Sequence, residues 1–205
     1  MKYLVSNWER VLELFFQHLF LISVSLVIAL AISIPVGVII SKVKVLYNPV
    51  VGLLGIIYTI PSMALFALLI PLVGLGTRSA IFALVMYAQM ILVRNVVAAL
   101  EGISPAIFEA AKGMGMGRWR IFWKIEMPLA MPVIIAGIRI TLVSLIGIGA
   151  IAAYINAGGL GLLIFEGINQ FNPQKVIAGT VAITLLAIVT DQLLQLLQKK
   201  VMRSA

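Results

Sequence analysis

Residues 104–132 read SPAIFEAAKGMGMGRWRIFWKIEMPLAMP and separate two long apolar segments of the chain. The stretch carries too many charges to cross a bilayer. Ser104 is a favourable N-cap and Pro105 suits the first position of a helix, so a short helix is predicted over Ala106 to Lys112. Glycines end this helix, because they break helical runs. They lie at positions 113, 115 and 117.

A second short helix is predicted from Arg118 to Ile125, before Pro128 at the start of the next apolar segment. Its aromatic residues are spaced at i, i+3 and i+4, and basic residues surround them. These aromatic residues are Trp119, Phe122 and Trp123. Residues 101–126 therefore predict a helix-turn-helix along a membrane surface, for which an amphipathic interfacial anchor is the simplest interpretation.

The composition places the rest of the chain in a bilayer. Of 205 residues, 62% are hydrophobic and 11% are charged, with a mean hydropathy of +1.16, so a water-soluble fold would expose too much apolar surface. The net charge of +8 comes from short segments between apolar stretches, which favours membrane topology over nucleic-acid binding. The chain has no cysteine and one histidine, His18, so we expect no zinc site or thiol nucleophile, and an interfacial histidine.

Five apolar windows meet the requirement of about 20 residues for a membrane-spanning helix. They are residues 19–40, 52–75, 79–100, 127–154 and 176–197. The sequence therefore predicts an all-α polytopic membrane protein, a single domain over residues 1–205, with the loop 101–126 between its third and fourth spans. Residues 156–175 would form a re-entrant or surface helix. With no internal repeat in the chain, any symmetry would come from a second subunit.

The distribution of lysine and arginine predicts the orientation, because cytoplasmic loops carry the excess. One set of segments holds nine basic residues: Lys42, Lys44, Lys112, Arg118, Arg120, Lys124, Lys199, Lys200 and Arg203. The other set holds four: Lys2, Arg10, Arg78 and Lys175. This predicts an amino terminus outside, a carboxyl terminus in the cytoplasm, and a cytoplasmic loop 101–126.

The spacing within that loop resembles the EAA motif of permease subunits of binding-protein-dependent ABC importers. The matching residues are Glu109, Ala110, Ala111, Gly115, Ile125 and Pro128, with Met127 where the family usually has leucine. The resemblance implies a type I importer fold in the bacterial cytoplasmic membrane. It also implies that the two short helices dock on a separate ATPase subunit, with Glu109 facing the ATPase and Gly115 making the turn.

Two further stretches resemble the glycine betaine, carnitine and choline branch of these permeases. They are YTIPSMALFALLIPLVGLGTRSAIFALVMYAQMILVRN at 58–95 and NAGGLGLLIFEGIN at 156–169. The resemblance implies a quaternary ammonium solute, or another betaine or small polar solute. It also implies ATPase subunits, a second permease subunit (identical or paralogous) and an extracellular or membrane-anchored solute-binding protein as partners.

Prolines in the predicted spans indicate kinks, because each removes a helical hydrogen bond. They are Pro35, Pro61 and Pro71. A kink beside Tyr58, Thr59 and Ser62 would either open space for a solute or be a packing bend.

A quaternary ammonium group binds well to aromatic faces. The candidate residues for such a contact are Tyr58, Phe66, Tyr87 and Tyr154. Gln89, inside the third span, would either bridge helices or face a wet pathway.

Three charged residues inside predicted spans need a partner or access to water. Arg94, Arg139 and Asp191 lie about two turns from the inner face by the helical rise. Asp191 is expected to neutralise Arg139 or Arg94 in the subunit core, with snorkelling of the arginines as the alternative.

Two other functions are weighed against an importer subunit. A stand-alone secondary transporter would need intramembrane carboxylates for ion coupling, and only Asp191 fits. An intramembrane enzyme would need a nucleophile and base, or a metal set, within the spans, and the sequence offers neither. The glycine strings at 113–117 and 158–161 do not precede Lys-Ser or Lys-Thr, so ATP and Mg²⁺ are expected on a partner subunit and no cofactor in this chain.

Overall fold

The computed structural model describes residue 3 and residues 6–204, so Lys2 lies outside the described residues. Within this part of the chain the regular structure is helical. The α-helices are α1 (Trp8–Lys42), α2 (Tyr47–Thr59), α3 (Ser62–Val73), α4 (Thr77–Glu101), α5 (Pro105–Gly113), α6 (Arg118–Ile121), α7 (Met127–Ile151), α8 (Gly161–Asn169) and α9 (Pro173–Ser204). Short 3₁₀ turns at Lys44–Leu46 and Ala152–Ile155 and a π-turn at Phe122–Glu126 complete them.

The second predicted span is not one continuous helix. Its two halves, residues 44–59 and Ser62–Val73, meet at an angle of 99°. Ile60 adopts an extended conformation with ψ 128°, because the ring of the following Pro61 disfavours a helical residue before it. Pro35 and Pro71 lie inside helices that continue through them. The predicted kink is therefore a break, and it occurs at Pro61.

The other four windows lie within helices long and apolar enough to cross a membrane, all among the described residues. The bent pair brings the count to five if it forms one span. The helices extend beyond the windows: α1 begins at Trp8 and α9 at Pro173. A hydropathy window detects the part of a helix that suits the bilayer core, and it does not detect the polar ends of the same helix.

Helix α4 is the centre of the bundle, with 13 of its 25 residues buried. It packs mainly against α1 and α7, and α9 packs against α7 and α8. Glycines permit the close contacts with α4. A Cβ atom at Gly37 would lie 2.5 Å from Val96 Cγ1, and one at Gly137 would lie 2.5 Å from Asn95 Cβ.

The bundle has two distinct ends. The basic end contains residues 41–48, 101–126 and 198–200, and an ion pair joins Lys42 to Glu126 there at 3.7 Å. The far end contains residues 6–18, 74–78 and 152–175, where the Gly76 N–H donates to the Ile155 carbonyl at 2.9 Å. The basic residues of each predicted set therefore lie at the same end wherever the structure describes them.

The prediction that His18 is interfacial is wrong, because its side chain is fully buried. Its Nε2 lies 3.2 Å from the Ile146 carbonyl oxygen, and its ring packs against Gly149 and Gly159. Two small residues thus leave room for an imidazole that hydropathy alone places at a surface.

Candidate functional site

Helix α5 forms the first half of the loop at the basic end. Pro105 occupies its first turn and Ser104 its N-cap position, as predicted. The backbone carbonyl of Ser104, not its hydroxyl, accepts a hydrogen bond here, from the Ile107 N–H at 3.1 Å. Ser104 therefore occupies the N-cap position, but its side chain does not make the capping hydrogen bond that the sequence suggests.

The carboxyl end of α5 is a Schellman motif built on Gly115. The Met116 N–H donates to the Ala111 carbonyl at 3.1 Å, and the Gly115 N–H donates to that of Lys112 at 2.9 Å. Gly115 has a φ of 73°, which costs glycine little and other residues more. The chain reverses here, at the position where the sequence predicted the turn.

The three residues of the Glu-Ala-Ala triplet point in different directions. Ala111 is fully buried, whereas Glu109 and Ala110 are exposed. Ala111 therefore faces inward. Glu109 stands on the outer side of the helix, where a carboxylate is available to a second protein.

The second half of the loop differs from the prediction. Arg118–Ile121, the π-turn and α7 form one continuous helical segment from Arg118 to Ile155, so no separate second helix exists within it. The Met127 N–H donates to the Phe122 carbonyl, five residues back. This wide turn accommodates Pro128, which has no N–H for the regular helical ladder. Ile125 is half-buried and Pro128 is exposed.

Aromatic and basic side chains cover this wide turn. Trp119 and Trp123 are 78% and 62% exposed, and both rings pack edge-on against Phe122. Lys42 Nζ lies 4.7 Å from the centre of the Phe122 ring as well as near Glu126. The end of α1 is thereby attached to the start of the long helical segment.

The structure brings four of the five candidate pathway residues to the break between α2 and α3. The Tyr87 hydroxyl donates to the Ile60 carbonyl, and the Tyr58 and Tyr87 rings pack edge-on with centroids 6.0 Å apart. Thr59 and Ser62 flank the break, and the Thr59 hydroxyl donates to the Ile56 carbonyl at 2.7 Å. Tyr58 is 41% exposed, whereas Tyr87 is buried.

Gln89 lies apart from this group, in the contact between α1 and α4. Its amide nitrogen donates to the Ala29 and Val85 carbonyls, both at 3.3 Å. In this subunit Gln89 therefore bridges two helices. Of the other aromatic candidates, Phe66 is buried in the core and Tyr154 is exposed at the far end.

Asp191 pairs with Arg139, one of its two expected partners, and Arg94 is exposed. The pair does not lie where the sequence placed it. Arg139 is the thirteenth of the 25 residues of α7, deeper than two turns, and the pair lies beside a surface cleft between α7 and α9 and not in the subunit core.

The far end carries an ion network that the sequence does not predict. Glu166, in the predicted surface helix α8, accepts hydrogen bonds from Arg10 at 2.8 Å and from Lys175 at 3.0 Å. Burial alone would raise the pKa of Glu166, but these two cations outweigh it and lower the pKa below its ordinary value. The sequence shows that Glu166, Arg10 and Lys175 carry opposite charges, but it does not show which cation pairs with Glu166.

These features define a polytopic helical membrane protein with a broken span and an exposed loop at its basic end. Residues 14–203 match the model of the family described as binding-protein-dependent transport system inner membrane component. The chain belongs to this family and is a transport component.

Curated relatives match along nearly their whole length. The chain is 43% identical to the osmoprotectant import permease protein OsmW of Salmonella typhimurium, covering 96% of this chain and 94% of the relative. It is 36% identical to the glycine betaine/carnitine/choline transport system permease protein OpuCB of Bacillus subtilis, covering 98% and 93%.

The fold also matches a solved structure. A chain of the MetNI methionine ABC transporter, in an inward-facing conformation, superposes with a TM-score of 0.81 at 24% identity, covering 96% of both chains. The expected type I importer fold is confirmed.

Proposed function

We propose that this chain is the membrane-spanning subunit of an ATP-driven importer for a quaternary ammonium compatible solute of the glycine betaine, carnitine or choline class. The names of the relatives support the solute class. The observation that carries the proposal is the exposed Glu109 on α5, in the loop 101–126 from which the helical segment Arg118–Ile155 runs across the bundle.

The proposed mechanism is alternating access with force delivered through the loop. Closure of two ATPase subunits would displace α5, and the Schellman turn at Gly115 would pass the displacement to the helical segment 118–155. The contacts of Lys42 with Phe122 and Glu126 would carry part of it into α1. ATP and Mg²⁺ would bind the ATPase, and this chain would catalyse no reaction.

The proposed orientation puts the basic end in the cytoplasm and the amino terminus outside. Lysines and arginines are enriched at the basic end, in agreement with the charge rule for cytoplasmic loops. The far end, with α8, would then meet the solute-binding protein. A second permease subunit, identical or paralogous, would complete the pathway beside Tyr58, Thr59, Ser62 and Tyr87.

The test is uptake of radiolabelled glycine betaine, carnitine and choline by the importer reconstituted in vesicles with its ATPase and binding protein. We expect ATP-dependent uptake of at least one of the three. Uptake that persists without the ATPase would instead identify a secondary transporter. An importer that moves none of these solutes would contradict the solute class.

A further inference from the structure

A largely apolar cleft that holds one ion pair opens between α7 and α9 beside Arg139. The Arg139 Nε and Nη2 atoms donate to the two Asp191 carboxylate oxygens at 3.0 and 3.1 Å, and Nη1 donates to Gln198 Oε1 at 2.8 Å. The Gln198 amide nitrogen donates to the Pro132 carbonyl at 3.0 Å. The cleft has a volume of about 480 Å³. It is lined by Ala136, Arg139, Ile140, Val143, Ser144 and Asp191.

This ion pair is partly open to the surroundings and extends from the middle of α7 toward the basic end, where its partner Gln198 lies. The exposed fractions of the Arg139 and Asp191 side chains are 20% and 38%. Charged groups within membrane helices face a protein interior or a water-filled cavity, because acyl chains solvate them poorly. In the assembled importer this cleft must therefore face water or a polar partner.

The pair also keeps unused hydrogen-bonding capacity. A guanidinium has five N–H groups, and Arg139 donates three of them to Asp191 and Gln198, which leaves two. Each Asp191 oxygen accepts one N–H from Arg139 and retains a lone pair. The cleft thus presents a cation and an anion side by side.

The remaining walls carry methyl groups from Ala136, Ile140 and Val143. A solute with a carboxylate and a trimethylammonium group complements all three features. Its carboxylate fits the free N–H groups of Arg139. Its ammonium, which cannot donate a hydrogen bond, fits the Asp191 charge and the apolar walls.

We propose that the cleft between α7 and α9 is a contact site for a transported zwitterion, with the solute carboxylate on Arg139 and its quaternary ammonium beside Asp191. This inference rests on the proposed function, from which it takes the solute class. The other ion pairs described lie at the ends of the bundle, where water has access to them: Lys42 with Glu126, Arg10 with Glu166 and Lys175 with Glu166.

The chain has no cysteine, so a single Ser144→Cys substitution places one thiol in the cleft and leaves the ion pair intact. The probe is a water-soluble methanethiosulfonate that carries a trimethylammonium group, applied to the complete importer in membrane vesicles. Ser23→Cys, exposed on α1 inside the first predicted span, is the matched control. Val143→Cys lines the same cleft and serves if Ser144→Cys does not assemble.

We expect the cleft thiol to react in at least one nucleotide state and the control thiol not to react. Glycine betaine at ten times its Kd should slow labelling about tenfold, because about one site in eleven stays free. Adding Arg139→Lys, which keeps the charge and loses the planar fork, should raise the half-protecting glycine betaine concentration about tenfold. Choline has no carboxylate, so its half-protecting concentration should not change.

A thiol that stays unreactive in every nucleotide state would overturn the proposal, as would labelling that none of the three solutes slows. Unchanged protection by glycine betaine in the Arg139→Lys variant would remove Arg139 from the site. If the unmodified importer takes up glycine betaine while the cleft thiol is unprotected, only the cleft assignment fails. If the unmodified importer takes up none of the three solutes, the proposed function fails.

Discussion

Helices α5 and α8 are both nine residues long and both connect longer helices, but the protein holds them in opposite ways. In α8, Gly161, Leu163 and Gly167 are buried, and Glu166 joins two cations. In α5, all of whose residues are described, Ala111 alone is buried. Helix α8 is packed into the bundle, whereas α5 buries one alanine and ends in the Schellman turn.

We therefore expect changes in α8 to affect mainly the stability of the fold, and changes in α5 to affect mainly transport. Close packing makes α8 part of the folded core, so changes there should cost free energy of unfolding. The exposed face of α5 contributes little to the fold of the isolated subunit. If the proposed coupling role is right, changes to its carboxylate should affect transport while leaving the fold intact.

The largest effect is expected at Gly161. A Cβ atom there would lie 1.8 Å from the Ala150 carbonyl oxygen, which is backbone and cannot swing aside. Gly161→Ala should lower the free energy of unfolding by about 3 kcal/mol, the upper part of the range for overpacking. The measurement is thermal unfolding of the purified subunit in detergent.

Gly113→Ala in α5 is the matched control, because no described atom outside its own stretch of helix lies within 4 Å of its Cβ position. It should leave the melting temperature unchanged or raise it slightly. Equal destabilisation by both substitutions would show that α5 is as firmly packed as α8.

The next effect concerns transport. Glu109→Ala removes an exposed carboxylate and should lower ATP-driven uptake at least about tenfold, the equivalent of one charged hydrogen bond to a partner. The melting temperature of the subunit should not change. Glu9→Ala, an exposed carboxylate at the far end, should leave uptake intact. Normal transport by Glu109→Ala would remove this residue from the coupling contact.

A smaller effect is expected at the turn. Gly115→Ala forces a Cβ atom onto a residue with φ 73°, which should cost about 1 kcal/mol of local strain. Gly117→Ala, at φ −70°, should be neutral. Limited proteolysis of the loop would measure this, with faster cleavage expected only for Gly115→Ala. Equal cleavage rates for the two variants would mean that the loop does not depend on the Schellman motif.

The smallest effect is a pH dependence at α8. The lowered pKa of Glu166 means that its ion network stabilises the fold fully above a pH of about 4.5, the ordinary value. That contribution is lost as the pH falls through the lower pKa of the folded state. It should be below about 1 kcal/mol, as for other partly exposed pairs.

Glu166→Gln should remove this acid-dependent step from the unfolding curves measured between pH 3 and 7. Glu109→Gln is the control, since it removes an exposed carboxylate from α5. An unchanged acid limb in Glu166→Gln would show that the network does not contribute to stability.

Hydropathy and charge predicted most of the architecture, because a long apolar run in a bilayer has few alternatives to a helix. The positions of the turn at Gly115 and of a bend near Pro61 also follow from local backbone preferences. The partner of the Ile60 carbonyl does not, since the hydroxyl that donates to it belongs to Tyr87, which lies 27 residues away.

Long-range contacts explain two of the remaining errors. The burial of His18 depends on Gly149 and Gly159, and the choice of Arg139 over Arg94 depends on how α7 meets α9. Such pairings are decided by packing, and a single sequence does not encode them as a pattern. The error at Arg118 is local, because a π-turn between Phe122 and Met127 continues the helix where Pro128 favours a break.

The most direct test of the central claim is a photo-crosslinker attached to Glu109→Cys in the assembled importer, with Ile168→Cys in α8 as its counterpart. Both positions are exposed, and both lie on nine-residue helices at opposite ends of the bundle. We predict a crosslinked product between position 109 and the ATPase subunit, and none from position 168. A product with the ATPase from position 168, or none from position 109, would contradict the coupling role of the loop.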